Sequence, residues 1–257
     1  MVRGIYTGAM GMLVDMARLD TISNNLANVD TIGYKKDTPV FKAYLNRNVY
    51  MMDRKSQTIK PVNFIGNLEQ AVILDEVKPA MVQGPIIHTG NKKDFAIDGL
   101  GFFVLRSPDG KLFYSRAGNF KTDNQNNLID DNGNFVLDNE GNTVKWNEEY
   151  IVDENGWVYD KQNKKLFRFG IVRFSDPSKL EKYGYKLFLQ TQESGIPVED
   201  VDSKVMQGFI EGSNVNALNE MIKMINAMRH FEIAQRIITT EDQLLDRAVN
   251  SVGNIRG

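Results

Sequence analysis

The sequence contains no cysteine, which excludes disulfide bonds and thiolate metal sites. Its two histidines, His88 and His230, lie far apart along the chain, so a histidine-based metal site is not expected. No apolar run reaches the roughly 18 residues that a membrane-spanning helix needs. The 31 basic and 33 acidic residues nearly balance, which gives no general attraction to nucleic acid or anionic lipid.

The N-terminus also lacks the features of a secretory signal peptide. Residues 1–6 contain no compact apolar block, and the charged residues Asp15, Arg18 and Asp20 follow within a few helical turns. The apolar core of a signal peptide does not accommodate such charges. We therefore expect that the protein, if it is exported, leaves the cytoplasm without cleavage of a signal peptide.

What the sequence does contain is an apolar repeat of seven residues at each end. Near the N-terminus the repeat consists of Ile5, Met12, Leu19 and Leu26. This spacing is typical of helices that pack along a seam, and it predicts a helix over about residues 3–28, with Gly33 as its stop signal. Gly4, Gly8 and Gly11 each cost about 1 kcal/mol of helix propensity, so this helix is expected to need packing partners.

The C-terminal segment carries the same repeat more strongly. Its first row consists of Met224, Phe231, Ile238, Leu245 and Val252. A second row contains Ala227, Ala234 and Ala248, and Glu241 is its polar interruption. No proline follows Pro197, and Ser213 or Asn214 suits the N-cap position. One helix is therefore predicted from about residue 214 to near the end of the chain.

The length of this second helix favours packing between chains. A helix of about 40 residues is about 60 Å long, whereas a globular domain of this chain length is only about 40 Å across. The N-terminal helix can cover only part of it, so apolar surface remains that needs partners. A two-helix hairpin within one chain also suits these rows. We favour contacts between subunits. The residues predicted to lie at the subunit interface are those of the N-terminal row and of the first C-terminal row, which are Ile5, Met12, Leu19, Leu26, Met224, Phe231, Ile238, Leu245 and Val252.

The middle of the chain, residues 91–204, has the pattern of a small β domain. Short apolar runs alternate with turn signals, which are Asp98-Gly99, Asp109-Gly110, Asn132-Gly133, Glu140-Gly141 and Asn155-Gly156. Such pairs favour the tight turns of antiparallel hairpins. Residues 37–90 include four prolines and are predicted to form an extended connector with some strand. The predicted fold is thus mixed α and β, with helical segments 1–36 and 205–257 bracketing the connector and the β domain.

Three blocks of the sequence carry a more specific pattern. They are SNNLANVDTIGYK at residues 23–35, DFAIDGLGFF at residues 94–103, and QGFIEGSNVN at residues 207–216. In this order the blocks resemble signatures of the flagellar rod and hook protein family. The first block departs slightly from the family pattern, because Ile32 stands where proline or asparagine is frequent and Tyr34 replaces phenylalanine.

The resemblance implies a structural subunit of the flagellar basal-body rod, which polymerises through its terminal helices into a tube that transmits torque. It implies export, unfolded and uncleaved, by the flagellar export apparatus, and a periplasmic location in the rod. The implied partners are copies of the chain and other rod proteins, with no nucleic acid and no membrane insertion. Among the paralogues, residues 3–12 resemble the proximal rod protein of F type most, and the distal rod protein of G type follows closely.

No pattern indicates a catalytic, metal or cofactor site. Gly99 and Gly101 form a lone Gly-x-Gly before a strand, so we interpret them as the turn that leads into the β domain rather than as a phosphate loop. Asn24, Asn25 and Asn28 suit either helix-end hydrogen bonds or amide contacts between subunits. The alternative functions are a junction or assembly-checkpoint protein present in few copies and, more remotely, an enzyme built on the β domain.

Overall fold

The structure, a computed structural model, describes residues 2–52 and 61–253, and it describes side chains at residues 4–44 and 72–251. Helix α1 spans Val2–Ala27 and helix α2 spans Ala217–Gly253. The segment between them is formed mainly of antiparallel strands. The predicted architecture of two helices bracketing an antiparallel β domain is therefore confirmed. In the described part of the chain, neither helix has an apolar stretch that could cross a membrane.

Among the residues that the structure describes, eighteen strands and one 3-10 helix, Pro177–Lys179, lie between the long helices. The first nine strands are β1 (Asp37–Met52), β2 (Pro61–Pro79), β3 (Ile86–His88), β4 (Phe95–Asp98), β5 (Phe102–Arg106), β6 (Leu112–Ser115), β7 (Lys121–Thr122), β8 (Leu128–Ile129) and β9 (Phe135–Val136). The other nine are β10 (Ile151–Val152), β11 (Trp157–Tyr159), β12 (Lys165–Arg168), β13 (Ile171–Arg173), β14 (Glu181–Tyr183), β15 (Leu187–Leu189), β16 (Val198–Glu199), β17 (Lys204–Gln207) and β18 (Phe209–Glu211).

The chain divides into two compact units. The first, which we call the helical unit, comprises Met1–Ser23, Thr38–Val77 and Leu218–Gly257, and it includes the paired strands β1 and β2. The second, which we call the β unit, comprises Asn24–Asp37 and Lys78–Ala217. The predicted connector, residues 37–90, thus contains two long strands and β3, and its first strand is 16 residues long.

Strand β5 is the centre of the β unit. It pairs with β6, β9 and β13 in a nine-stranded sheet, and its short apolar run is buried on both faces. Phe103 and Leu105 enter the larger core cluster, which also contains Phe95, Phe120 and Phe169. Phe102 faces the other way, against Tyr114, Phe174 and Phe188. Because successive side chains of a strand alternate, a run without polar interruption is what burial on both faces requires.

The predicted turns are present, and four of the five share one geometry. Gly110, Gly133, Gly141 and Gly156 all have φ between 78° and 84°, the left-handed conformation that glycine adopts readily. An aspartate stands three residues before the left-handed position in several of these turns, and its carboxylate accepts backbone N–H groups. Asp130, for example, accepts from the backbone of Asn132 and Asn134 at 2.8 Å and from the Asn134 side chain at 2.9 Å.

Candidate functional site

The inward side of α2 is formed by the two predicted heptad rows. The partly or fully buried residues of this helix include Met224, Ala227, Phe231, Ala234, Ile238, Glu241, Leu245 and Ala248, which we call the seam. The side chain of Val252 lies outside the described residues. Positions three and four residues apart share one helix face, so the spacing of the seam follows directly from the helical repeat.

Part of the seam faces α1 of the same chain. A Cβ atom added to Gly8 would lie 3.0 Å from Cγ1 of Ile238, and one added to Gly4 would lie 2.7 Å from Oε1 of Glu241. These glycines, which lower helix propensity, therefore permit close approach of the two helices. The predicted α1 row, which consists of Ile5, Met12, Leu19 and Leu26, is partly buried. A hairpin within one chain accounts for these contacts, and the interface role of the rows stays a prediction.

A second set of apolar residues on α2 is exposed. In the first third of the helix they are Leu218, Met221, Ile222, Ile225 and Met228, which we call the outer face. Their relative exposure ranges from 48% at Met221 to 68% at Leu218. Farther along, Ile233, Ile237 and Leu244 are also exposed. Isolated exposed apolar residues are ordinary, but a contiguous set on one helix is typical of an interaction surface.

The asparagine cluster closes α1 through contacts within the chain. Asn25 is buried, and its amide donates to the carbonyl of Asp37 at 2.9 Å while its Oδ1 accepts from the Asp37 N–H at 2.8 Å. The Tyr34 hydroxyl donates to the same Oδ1 at 3.1 Å. Asn28 donates to the carbonyl of Asn24 at 2.8 Å. Helix-end chemistry thus accounts for the buried amides, and contacts between subunits through this cluster stay a prediction.

A buried group of charges, which we call the polar junction, connects all three sequence blocks. Glu211 is fully buried and accepts from Lys35 Nζ at 2.5 Å and from the Gly84 N–H at 2.8 Å. Arg116 approaches its other oxygen at 3.5 Å and donates to the carbonyl of Gly99 at 2.7 Å. Burial lowers the pKa of Lys35, the Glu211 carboxylate opposes this, and Arg116 adds to the lowering. A buried pair needs such multiple partners to offset the loss of hydration.

Lys182 extends the junction on the side of the first block. Its Nζ donates to Asp37 Oδ1 and to the carbonyl of Lys35, both at 2.8 Å. The same ammonium lies 3.9 Å from the centre of the Tyr34 ring. Burial lowers the pKa of Lys182, and its contacts with Asp37 act in the opposite direction. Three kinds of contact therefore connect strand β14 to residues 34–37.

Gly33 and Asn214, which lie near the polar junction, have roles other than those predicted. Helix α1 ends at Ala27, before Gly33, whose N–H donates to the Glu211 carbonyl at 2.7 Å. A Cβ atom on Gly33 would lie 2.3 Å from the backbone nitrogen of Ala117, so glycine is required for this close approach. Asn214 does not cap α2. Its side chain accepts from the Lys36 N–H and donates to Ala80 and Val82 carbonyls, and α2 begins only at Ala217.

Gly99 and Gly101 lie in the turn between β4 and β5. Gly99 has φ of +140°, and an added Cβ atom would lie 2.2 Å from Oγ of Ser203. The N–H of Gly101 donates to the same hydroxyl at 3.1 Å, and Ser203 in turn donates to Asp200 at 2.6 Å. Within the described residues, no group of three or more histidine or acidic side chains is arranged to hold a metal ion.

The sequence blocks coincide with the matches to known families. Residues 5–35 match the family described as flagella basal body rod protein. Residues 96–160 match the D1 domain of the flagellar hook protein FlgE/F/G, and residues 206–251 match the C-terminal region of the flagellar basal body rod FlgEFG proteins.

Curated relatives match over nearly the whole chain. The flagellar basal-body rod protein FlgG of Agrobacterium fabrum is 33% identical, and the match covers 95% of this chain and 97% of that protein. FlgG of Borreliella burgdorferi is 34% identical over 97% of this chain and 98% of its own length. FlgG of Bacillus subtilis is 33% identical over 97% and 99%. The first choice among paralogues, the F type, is not confirmed, whereas the second choice, the G type, fits these relatives.

Proposed function

Because the chain belongs to the flagellar basal-body rod protein family, we propose that it polymerises through its terminal helices into the tubular rod. The observation that carries this proposal is the outer face of α2. Full burial of an exposed leucine or isoleucine contributes about 1.5–3 kcal/mol, and these residues are about half exposed, so each would contribute roughly half of that and several together would favour association. Repetition of a contact between unlike surfaces of identical subunits generates a helical assembly.

The predicted interface residues of both rows and of the asparagine cluster belong to the same proposal. In the rod they would contact other copies in addition to the partners that they have within the chain. We propose the same four segments as functional parts of the chain: helical segment 1–36, connector 37–90, β domain 91–204 and helical segment 205–257. In this proposal the two helical segments make the contacts between subunits. The partners would be further copies and other rod proteins, reached by export without a cleaved signal and without insertion into a membrane.

In this proposal the chain acts as a structural subunit of the rod and not as an enzyme. Among the rod paralogues it corresponds to the G type. Support comes from the names of those relatives, which are rod proteins. Further support comes from the use of charged groups in the β unit, since Glu211, Lys35 and Arg116 are buried in mutual contact.

The outer face can be tested by substitution of Leu218, Ile222 and Ile225 with serine in the full chain. Far-UV circular dichroism of the dilute protein should change little, because these side chains are at least half exposed. Polymer formation, measured by sedimentation and electron microscopy, should be lost. The matched control replaces Leu112, Tyr185 and Ile196, which are exposed residues of the β unit. Tubes of normal appearance from the outer-face variant would contradict the proposal.

The seam requires a different experiment, because it already has partners within the chain. Replacement of Ile238 by alanine should lower the helix content of the dilute protein through its lost contact with Gly8. If the seam also contacts neighbouring copies, the critical concentration for polymerisation should rise more than the loss of helix alone explains. If the variant molecules that remain helical polymerise as well as the original protein, the seam acts only within the chain.

A further inference from the structure

The assembly proposal does not explain why the seam contains a glutamate, Glu241, which contacts Gly4 of α1. Glu241 stands in a row whose other members, Ala227, Ala234 and Ala248, are small and apolar. Its carboxylate lies directly over Gly4, since an added Cβ atom there would be 2.7 Å from Oε1 and 3.0 Å from Cδ. The other oxygen, Oε2, is buried and has no hydrogen-bond partner among the described residues. A carboxylate in this position costs free energy unless something nearby favours its charge.

The first turn of α1 provides such an environment. The N–H groups of the first four residues of a helix have no acceptor within the helix, and the dipole places partial positive charge there. Helix α1 begins at Val2, and its first turn contains no acidic residue to complement that charge. The N-terminal end of α1 therefore lacks the negative group that most favours it.

We propose that the carboxylate of Glu241, on α2, supplies the negative charge that the first turn of α1 lacks. Gly4 leaves room for this carboxylate because it has no side chain. Glu241 is then a positioning residue, which holds the first turn of α1 helical. This assignment accounts for two local costs together: the carboxylate in an apolar seam and the glycine in the first turn of a helix. It concerns the single chain and does not depend on polymerisation.

The test is hydrogen exchange of the amides of residues 6–9 in the full chain, because these amides bond back to the first turn of α1. Glu241→Gln keeps the size of the side chain and removes its charge. A charge at a helix terminus has an effect that corresponds to about a two- to fivefold loss of protection. Asp242→Asn removes the same charge from an exposed neighbour on α2 and should leave these amides unchanged.

A second pair of variants separates charge from packing. In a Glu241→Ala background, Gly4→Glu returns a carboxylate to the same place from α1 itself and should restore the protection. Gly4→Ala should raise protection in the Glu241→Ala background, because alanine favours the helix, and should raise it less in the original chain, where its Cβ atom would displace the Glu241 carboxylate. Unchanged exchange in Glu241→Gln, or no recovery with Gly4→Glu, would overturn the proposal.

Discussion

The β unit and the helical unit place their apolar side chains in opposite ways. In the β unit, phenylalanines such as Phe95 and Phe103 are fully buried in clusters of aromatic and aliphatic neighbours. In α2 of the helical unit, Leu218, Ile222 and Ile225 are at least half exposed. The first arrangement is complete within one chain, whereas the second leaves apolar surface that other molecules can cover. Stability should therefore be determined mainly in the β unit and assembly mainly in the helices.

Matched truncations of apolar residues give the largest expected contrast. Phe103→Ala removes a ring that lies 5.3 Å from the ring of Phe120, and it should destabilise the β unit by about 3–5 kcal/mol. Ile225→Ala, at a half-exposed position, should change stability by less than about 0.5 kcal/mol. Urea unfolding followed by tryptophan fluorescence reports on the β unit, because both tryptophans, Trp146 and Trp157, lie there. Similar changes in the free energy of unfolding for the two substitutions would contradict the proposed difference between the β unit and the helical unit.

Removal of the buried Glu211 carboxylate should lower the free energy of unfolding nearly as much. Glu211→Ala leaves Lys35 and Arg116 buried without their carboxylate, and breaking a buried pair costs about 3–5 kcal/mol. We expect the lower end of that range, because Lys35 still donates to the Val82 carbonyl at 2.9 Å and Arg116 to the Gly99 carbonyl at 2.7 Å. Glu199→Ala, which removes a mostly exposed partner of Arg168, is the control and should cost less than about 1 kcal/mol. Equal midpoints in urea would show that the junction contributes little.

Two aspartate turns of the β unit can show whether the contribution of their hydrogen bonds to stability depends on burial. Asp130→Ala removes an acceptor of three hydrogen bonds in a buried turn, and each unsatisfied donor costs about 1–3 kcal/mol. Asp138 accepts the equivalent bonds in an exposed turn, where water can replace it. Thermal unfolding should therefore show a clear loss for Asp130→Ala and a small one for Asp138→Ala. An equal loss would mean that turn geometry matters more than solvent access.

The smallest effect concerns pH. Partial burial raises the pKa of Asp131, but hydrogen bonds from Lys186, Lys121 and Asn119 outweigh it and hold this pKa well below its usual range. The folded state thus binds this proton less readily than the unfolded state, so the stabilisation is present above about pH 4 and is lost as the pH falls toward the folded pKa. Asp131→Asn should cost at most about 1 kcal/mol near neutral pH, since the carboxylate is one-third exposed. That difference should shrink in acid, and a constant difference would contradict the assignment.

The helices could be predicted from the sequence because their signals are local and repeated. The heptad rows indicated a first helix over about residues 3–28, and the structure has Val2–Ala27. The sequence predicts the start of α2 about three residues early, because Asn214 has the chemistry of a cap but bonds to Ala80 and Val82 instead. A local rule cannot anticipate partners that lie more than 130 residues away in the sequence.

The same limit explains what was missed in the candidate site. The three blocks were visible as patterns, but nothing in them indicated that Lys35, Arg116 and Glu211 meet. Their charges look like surface residues in a sequence, since lysine, arginine and glutamate are rarely buried unless paired. For Asn25 the sequence allows both a helix-end hydrogen bond and a contact between subunits. It does not decide between them, because the Asp37 backbone that Asn25 bonds becomes its neighbour only after the chain turns.

The polar junction also has a kinetic consequence. Lys35 and Glu211 are separated by 176 positions, so their contact cannot form until most of the chain is present. Contacts between distant residues form slowly, because a long loop must close before they are gained. We expect the junction to be absent from the folding transition state, so that Glu211→Gln accelerates unfolding and leaves the refolding rate nearly unchanged in stopped-flow experiments. The junction should therefore form after the hairpins of the β unit, whose strands are close neighbours in the sequence.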